Sequence, residues 1–403
     1  MKNCKDDKNT IYIKDLNAKN MAAELQSVDF DASYISCACQ KYEYKSIKLF
    51  NLKPHEATIL KQICLSLGSD CALSRGVLLN EVDYTDCIVT ASCSVLKKIV
   101  KKLEFQPFRM KQIAKLIENN LNQSLQIWQI KDKVFDFQNK KYVMGILNVT
   151  PDSFSDGGLF LEPKEALEQV ELMIENGIDI LDIGAESTRP GAKEVESCEQ
   201  IKRLKPILKE IVKEFPFLPL SLDTRSEEVA RFSLDSNVDI INDVSSGDYD
   251  EKMIDFVKKY NKIYIITHSS STPDDMQNKT KYKNLIDDIY LYLKKKVDFL
   301  EENGIKKVII DPGIGFGKTE HQNIEIIKRL SDFKSINKPI LIALSRKSFI
   351  TKLFNICEKE KLDYATLVYN TLALHNGACL MRVHQTENIK HLKNILSQFI
   401  NNN

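Results

Sequence analysis

One feature limits this chain more than any other. From residue 143 onward, eight short apolar runs rich in β-branched residues alternate with turns and amphipathic stretches of helical period. The runs lie at 143–149, 178–183, 218–222, 238–244, 263–267, 308–311, 340–344 and 379–383. They are mostly continuous rather than alternating, the pattern of parallel strands buried on both faces. Helical candidates at 163–176, 199–214, 282–303 and 320–333 lie between them. Eight strand–helix units in about 250 residues predict an α/β fold, a TIM (β/α)8 barrel. A doubly wound sheet would need fewer strands and a switch point, so it is the second choice.

The region before the barrel reads differently. Residues 52–67 predict a helix entered through Pro54, 86–90 a strand, and 95–103 and 110–119 two more helices. Residues 1–124 therefore form a small α/β N-terminal extension, and 125–403 the barrel domain, with the polar stretch 119–124 between them. Residues 125–134, followed by Asn139 and Lys140, predict a hairpin that leads into the first barrel strand and covers the bottom of the barrel. The extension carries no phosphate loop, metal spacing or paired carboxylates, which favours a packing or assembly role. Seven of the ten cysteines lie in the first hundred residues and none forms a Cys-x-x-Cys pair. They read as small buried hydrophobes in a reducing compartment rather than as metal ligands.

The opening residues are polar and no apolar stretch is long enough for a signal peptide or a spanning helix, so a cytoplasmic protein is expected. With 57 basic and 56 acidic side chains, the net charge of +1 provides no global attraction for nucleic acid or an anionic membrane. Any anion must be held by a local arrangement of donors.

In a TIM barrel the reactive groups project from the C-terminal ends of the strands. Every run here ends in polar residues: Asn148 through Gly158 after the first, Asp182 through Gly191 after the second, Asp223-Thr-Arg after the third, Asn242-Asp243 after the fourth and His268 after the fifth. The sixth gives Asp311-Pro-Gly-Ile-Gly-Phe-Gly-Lys318, the seventh Ser345-Arg-Lys-Ser348, and the eighth Arg382-Val-His384. A structural protein has no reason to end each strand this way.

From about Tyr142 onward these segments, taken in order, resemble the dihydropteroate synthase family, the folate-pathway target of sulfonamides. Stretches 52–70 and 105–108 look like an N-terminal extension found on some bacterial members. The resemblance implies a transferase that joins 6-hydroxymethyl-7,8-dihydropterin diphosphate to p-aminobenzoate, releasing pyrophosphate, with magnesium. It also implies a homodimer through the late barrel helices. Asp223, Asn242, Asp311 and Lys347 would bind the pterin, whose edge of ring nitrogens, amine and carbonyl needs groups that donate and accept. Thr188, Arg382 and His384 would hold the diphosphate, and Asn148 would offer magnesium a hard oxygen. Thr188, Pro190, Phe316 and Ser348 would form the p-aminobenzoate pocket, while Asp156, Arg189 and Lys347 would serve catalysis. The first two loops would close over the site. If the carboxylates served only to hold the barrel, Asp223 and Asp311 would instead pair with Arg225 or Lys347.

Two other features carry no functional weight. Residues 313–319 look like a phosphate-binding loop, but the required first glycine falls at Pro312. His268 is followed by Ser269 and Ser271, where the family usually has His-Met and a Gly-Thr-Pro turn, so this loop is left out of the site. Ala343 and Gln385 also depart from the family, which commonly has glycine and aspartate there.

Overall fold

The computed structural model describes residues 11, 13–16, 20–150, 162–186, 194–269, 280–356 and 358–400. The chain divides into two compact units, Met1–Gln123 and Ser124–Asn402.

In the first unit three strands, β1 (Tyr44–Leu52), β2 (Asp70–Leu73) and β3 (Thr85–Ser92), form an antiparallel sheet in the order β1-β3-β2. Residues 85, 87, 89 and 91 of β3 are buried and their neighbours 86, 88 and 90 exposed, so one face of the sheet makes the core. Helices Pro54–Ser66, Cys93–Leu103 and Met110–Leu121 pack on it, and Cys64, Cys71 and Cys87 sit in that core beside Leu60, Leu96 and Leu103. The buried Glu56 carboxylate joins the starts of two helices, accepting from Lys53 N at 2.8 Å and from Arg109 Nε and Nη2 at 2.9 and 2.6 Å. The Arg109 guanidinium holds this carboxyl down at about 2.

In the second unit β4 (Ile127–Ile130) and β5 (Lys133–Asp136) form the expected hairpin. All eight apolar runs become parallel strands: β6 (Tyr142–Asn148), β7 (Ile180–Gly184), β8 (Leu220–Asp223), β9 (Ile240–Asp243), β10 (Ile263–Thr267), β11 (Val308–Asp311), β12 (Leu341–Ala343) and β13 (Leu380–Val383). β6 pairs with both β7 and β13, and a parallel bridge between Ile310 and Ile340 closes the barrel between β11 and β12. Segment 320–333 is not one helix. It is α-helical over Glu320–Lys328 and 3-10 over Leu330–Ile336, where buried Leu330, Phe333 and Ile336 recur every third residue and suit the tighter turn.

Two apolar layers leave only the mouth for chemistry. Outward-facing strand residues such as Val143, Leu181, Leu222 and Ile266 pack under the helices. Inward-facing Tyr142, Met144, Ile180, Ile240, Ile309 and Leu380 fill the lower barrel together with Trp128, Ile130, Phe135 and Phe137 of the hairpin region, which seal the N-terminal ends. Because side chains alternate along a strand, the next inward positions are Asp182 after Ile180, Asn242 after Ile240, Asp311 after Ile309 and Arg382 after Leu380.

Candidate active site

Those inward positions meet. Arg382 Nε donates to Asp182 Oδ2 at 2.6 Å and its Nη2 to Asp223 Oδ2 at 2.6 Å, while Asn242 Nδ2 donates to the same Asp182 Oδ2 at 3.1 Å. Asp182, Asp223, Asn242 and Asp311 are all buried. Burial pushes the Asp223 carboxyl upward, with the Arg382 guanidinium pulling against it. Space around it is tight, since a Cβ on Gly184 would lie 3.2 Å from the Asp223 Cβ. The alternative pairing of Asp223 with Arg225 is not what forms. Arg225 faces the other way in the network, donating to both Glu186 oxygens at 2.9 and 3.1 Å. Arg382, assigned to the diphosphate from sequence, thus bridges the Asp182 and Asp223 carboxylates.

The loop after β11 is built around Asp311. Its Oδ1 accepts from Gly313 N at 2.8 Å, and Gly313 and Gly315 adopt φ of 73° and 83°, which the winding of this loop requires. The phosphate-loop look-alike is turned inside out. Buried Lys318 donates from Nζ to the carbonyls of Gly313 and Phe316 at 2.8 and 3.0 Å and lies 3.0 Å from His268 Nδ1. Burial pushes the Lys318 ammonium down to about 7, opposed by Asp311. Burial, with Lys318 alongside, pushes His268 down to about 2. His268 is therefore neutral, and its Nδ1 accepts from the lysine.

A measurable consequence follows for acid stability. A base whose folded value is depressed contributes stability above its unfolded value near 6.5, and this is lost as the pH falls toward the folded value. His268→Gln is expected to flatten the loss of unfolding free energy below pH 6.5 by up to about 1.4 kcal/mol per pH unit, one proton's worth. Denaturant titrations at pH 7, 6 and 5 measure it, and parallel slopes for variant and parent would refute it.

Lys347 and Phe316 lie together, with the ammonium 4.2 Å from the ring centroid. A Cβ on Gly315 would stand 3.1 Å from Lys347 Cδ, so the glycine makes room for the lysine stem. Burial raises the Asp311 carboxyl, and Gly313 N, Lys347, Lys318 and Arg382 oppose that. Ser348 is exposed at the first residue of helix Ser348–Phe354. On the neighbouring stretch of the rim the first and eighth strands bring Asn148 and His384 together, Asn148 Nδ2 lying 3.3 Å from His384 Nε2. Ser345 Oγ accepts from His384 N at 3.1 Å and is 2.9 Å from Nδ1.

Asp156, Thr188, Arg189 and Pro190, with the rest of the two loops, lie outside the described residues. Sequence reasoning missed two residues of this site. Asp182 was visible only as one more polar strand end, although lying two residues after Ile180 already placed it on the inner face. Lys318 was discounted with the failed phosphate loop.

Comparison with known proteins agrees with this geometry. The profile of the family described as pterin binding enzyme matches residues 144–384. A dihydropteroate synthase of Synechocystis is 38% identical over 256 residues, 63% of this chain and 88% of the relative. A Helicobacter pylori protein named bifunctional dihydropteroate synthase/dihydropteroate reductase is 34% identical over 337 residues, 83% of this chain and 85% of the relative. The solved dihydropteroate synthase of Yersinia pestis with a sulfonamide drug complex superposes with a TM-score of 0.63 at 31% identity, over 68% of this chain and 98% of that one. That of Thermus thermophilus in complex with 4-aminobenzoate gives 0.59 at 29% identity, over 69% and 99%. The chain belongs to the pterin binding enzyme family, among its dihydropteroate synthases, transferases of folate synthesis.

Proposed function

We propose that the groups at the barrel mouth divide the dihydropteroate synthase reaction among themselves. The observation that carries this reading is the set of buried acceptors, Asp223, Asn242 and Asp311, with Arg382 and Lys347 beside them. Acceptors at this depth suit the amine and ring N–H edge of a pterin. Lys347 faces its ring nitrogen and carbonyl side. Phe316 and Ser348 receive p-aminobenzoate, the ring packing on Phe316 and the carboxylate taking the Ser348 hydroxyl.

The bond between the pterin methylene carbon and the diphosphate oxygen breaks with its electron pair leaving on pyrophosphate. The aniline nitrogen of p-aminobenzoate forms the new bond to that carbon and releases a proton. Positioning and charge stabilisation supply the catalysis. Arg382, through the guanidinium N–H groups not given to Asp182 and Asp223, His384 and Thr188 donate hydrogen bonds to the leaving diphosphate, while Asp156 and Arg189 complete the reacting centre. Asn148 fits magnesium as a single ligand: its Nδ2 is engaged by His384, which leaves a hard amide oxygen, and magnesium takes few protein ligands beside phosphate oxygens. When bound there, the ion lowers the negative charge of the diphosphate.

Purified protein mixed with dihydropterin diphosphate, magnesium and labelled p-aminobenzoate tests the reading, and absence of both dihydropteroate and pyrophosphate would sink it. In the same assay Ser348→Ala is expected to raise the KM for p-aminobenzoate several-fold with little change for the pterin. Equal effects on both substrates would contradict its placement.

We place the protein in the cytoplasm as a homodimer. No helix among the described residues is long and apolar enough to cross a membrane, and the free thiols suit a reducing compartment. Tyr364, Val368 and Leu372 form an exposed stripe at four-residue spacing on helix Lys359–Asn376, which supports pairing through the late helices. A second reading adds dihydropteroate reduction, because the Helicobacter match is longer than the barrel unit. Oxidation of a reduced nicotinamide nucleotide on addition of dihydropteroate would show it.

A further inference from the structure

We propose that Asp182 is the positioning residue that makes this pterin site selective for a 2-amino pteridine, by fixing which way the Asn242 amide faces. The inference rests on the dihydropteroate synthase reading and names a determinant within that same site.

The chemistry forces one orientation. Asp182 Oδ2 accepts from Arg382 Nε at 2.6 Å and from Asn242 Nδ2 at 3.1 Å. A carboxylate only accepts, so the nitrogen of the Asn242 side chain must face it, whichever way the amide would turn if unrestrained. That engages one amide N–H at Asp182 and turns the carbonyl oxygen away from the carboxylate, leaving it as the acceptor that Asn242 offers to a ligand. Asp223 offers the same kind of atom, since Arg382 occupies only its Oδ2, and Asp311 Oδ1 takes Gly313 N. The wall is therefore made of acceptors and matches an edge bearing an amine. An amide free to flip would equally welcome the carbonyl of a 2-oxo pteridine.

The placement of Asp182 in the barrel also argues against a purely structural role. It is fully buried, and its Oδ1 has no hydrogen-bond partner among the described residues. Ser221, its register partner on β8, likewise buries an unpartnered Oγ. Two such atoms each cost about 1–3 kcal/mol, so an apolar pair would hold this layer better. Arg382 does not need Asp182 for charge neutrality, because Asp223 already pairs with it. What Asp182 alone contacts is the Asn242 amide.

The test compares two fluorescent probes, 6-hydroxymethylpterin and its 2,4-dioxo counterpart, by quenching titration with the full chain. The parent is expected to prefer the amino compound. Asp182→Ala is expected to cut that preference about tenfold, the value of one hydrogen bond of 1.4 kcal/mol, while the KM for p-aminobenzoate moves less than threefold. Asp182→Asn, which keeps an acceptor for the amide, is expected to retain most of the preference, a rescue that a mere packing role would not produce. If D182A does not fold, a swapped pair decides: N242D sets two carboxylates in contact and should weaken pterin binding, and adding D182N should restore it. Unchanged discrimination in D182A, or a double variant no better than N242D, overturns the proposal. Dihydropteroate formation by the parent is assayed separately, so failure of the activity reading is distinguished from failure of this one.

Discussion

Arg382→Ala is expected to abolish measurable dihydropteroate synthesis and to lower stability by about 3–5 kcal/mol at neutral pH, the usual cost of removing one partner from a buried ion pair. The guanidinium reaches two strands at once, giving one N–H to Asp182 on β7 and another to Asp223 on β8. Without it, Asp182 keeps only the Asn242 amide and Asp223 loses the cation that opposes its burial, which already pushes it upward. A carboxyl with a raised folded value favours the folded state only below its unfolded value and loses that contribution as the pH climbs. The deficit of the variant should therefore be small near pH 4 and widen as the pH rises. Arg382→Lys should recover only part of the loss, because a single ammonium cannot reproduce a planar fork spanning two carboxylates. Denaturant unfolding across this pH range, alongside steady-state kinetics, measures both effects. A deficit below about 1 kcal/mol that ignores pH would refute the account.

The barrel was legible because its strands are short continuous apolar runs of the kind only a two-sided burial demands, and all eight became strands. Asn242, Asp311 and Arg382 were legible for a related reason, since strand periodicity places them two steps beyond an apolar interior residue, and the same rule, not applied to Asp182, places it there too. Pairings across the mouth were not. That Arg382 reaches Asp182 and Asp223, rather than Asp223 reaching nearby Arg225, depends on barrel closure bringing β13 beside β6, a contact more than 230 residues apart along the chain. Lys318 was set aside with the rejected phosphate loop, and the rejection agrees with the structure, where the loop winds so that carbonyls, not N–H groups, surround its ammonium. In the N-terminal unit β1 escaped notice because lysines at 45 and 48 and the irregularity near Asn51, whose φ is 59°, break the alternation that would have announced a strand.

Gly313→Ala should be among the most damaging single-methyl additions in the chain. The position has φ of 73°, a region that costs an L-residue about 1–2 kcal/mol in itself. Beyond that, a Cβ would stand 1.9 Å from the His268 carbonyl oxygen and 2.9 Å from its carbon. That carbonyl cannot easily retreat, because His268 N donates to the Asp311 main-chain oxygen at 2.9 Å and the carbonyl itself faces Lys318 at 3.3 Å. Relief must come from moving the glycine loop, which withdraws Gly313 N from Asp311 Oδ1 and Gly313 O from Lys318 together. A loss above about 4 kcal/mol is expected, the range reserved for clashes and broken buried networks, together with loss of pterin binding. Gly304→Ala supplies the control, with φ of 89° but nothing within 4 Å of the added carbon, so only the conformational cost of about 1–2 kcal/mol applies. Comparing the two unfolding curves separates the cost of the backbone conformation from the cost of the contact. Equal losses would mean that the approach of the β11 loop to His268 does not hold the pterin site together, whereas a gap of several kcal/mol means that the loop has no room for even one methyl group between Asp311 and the end of β10.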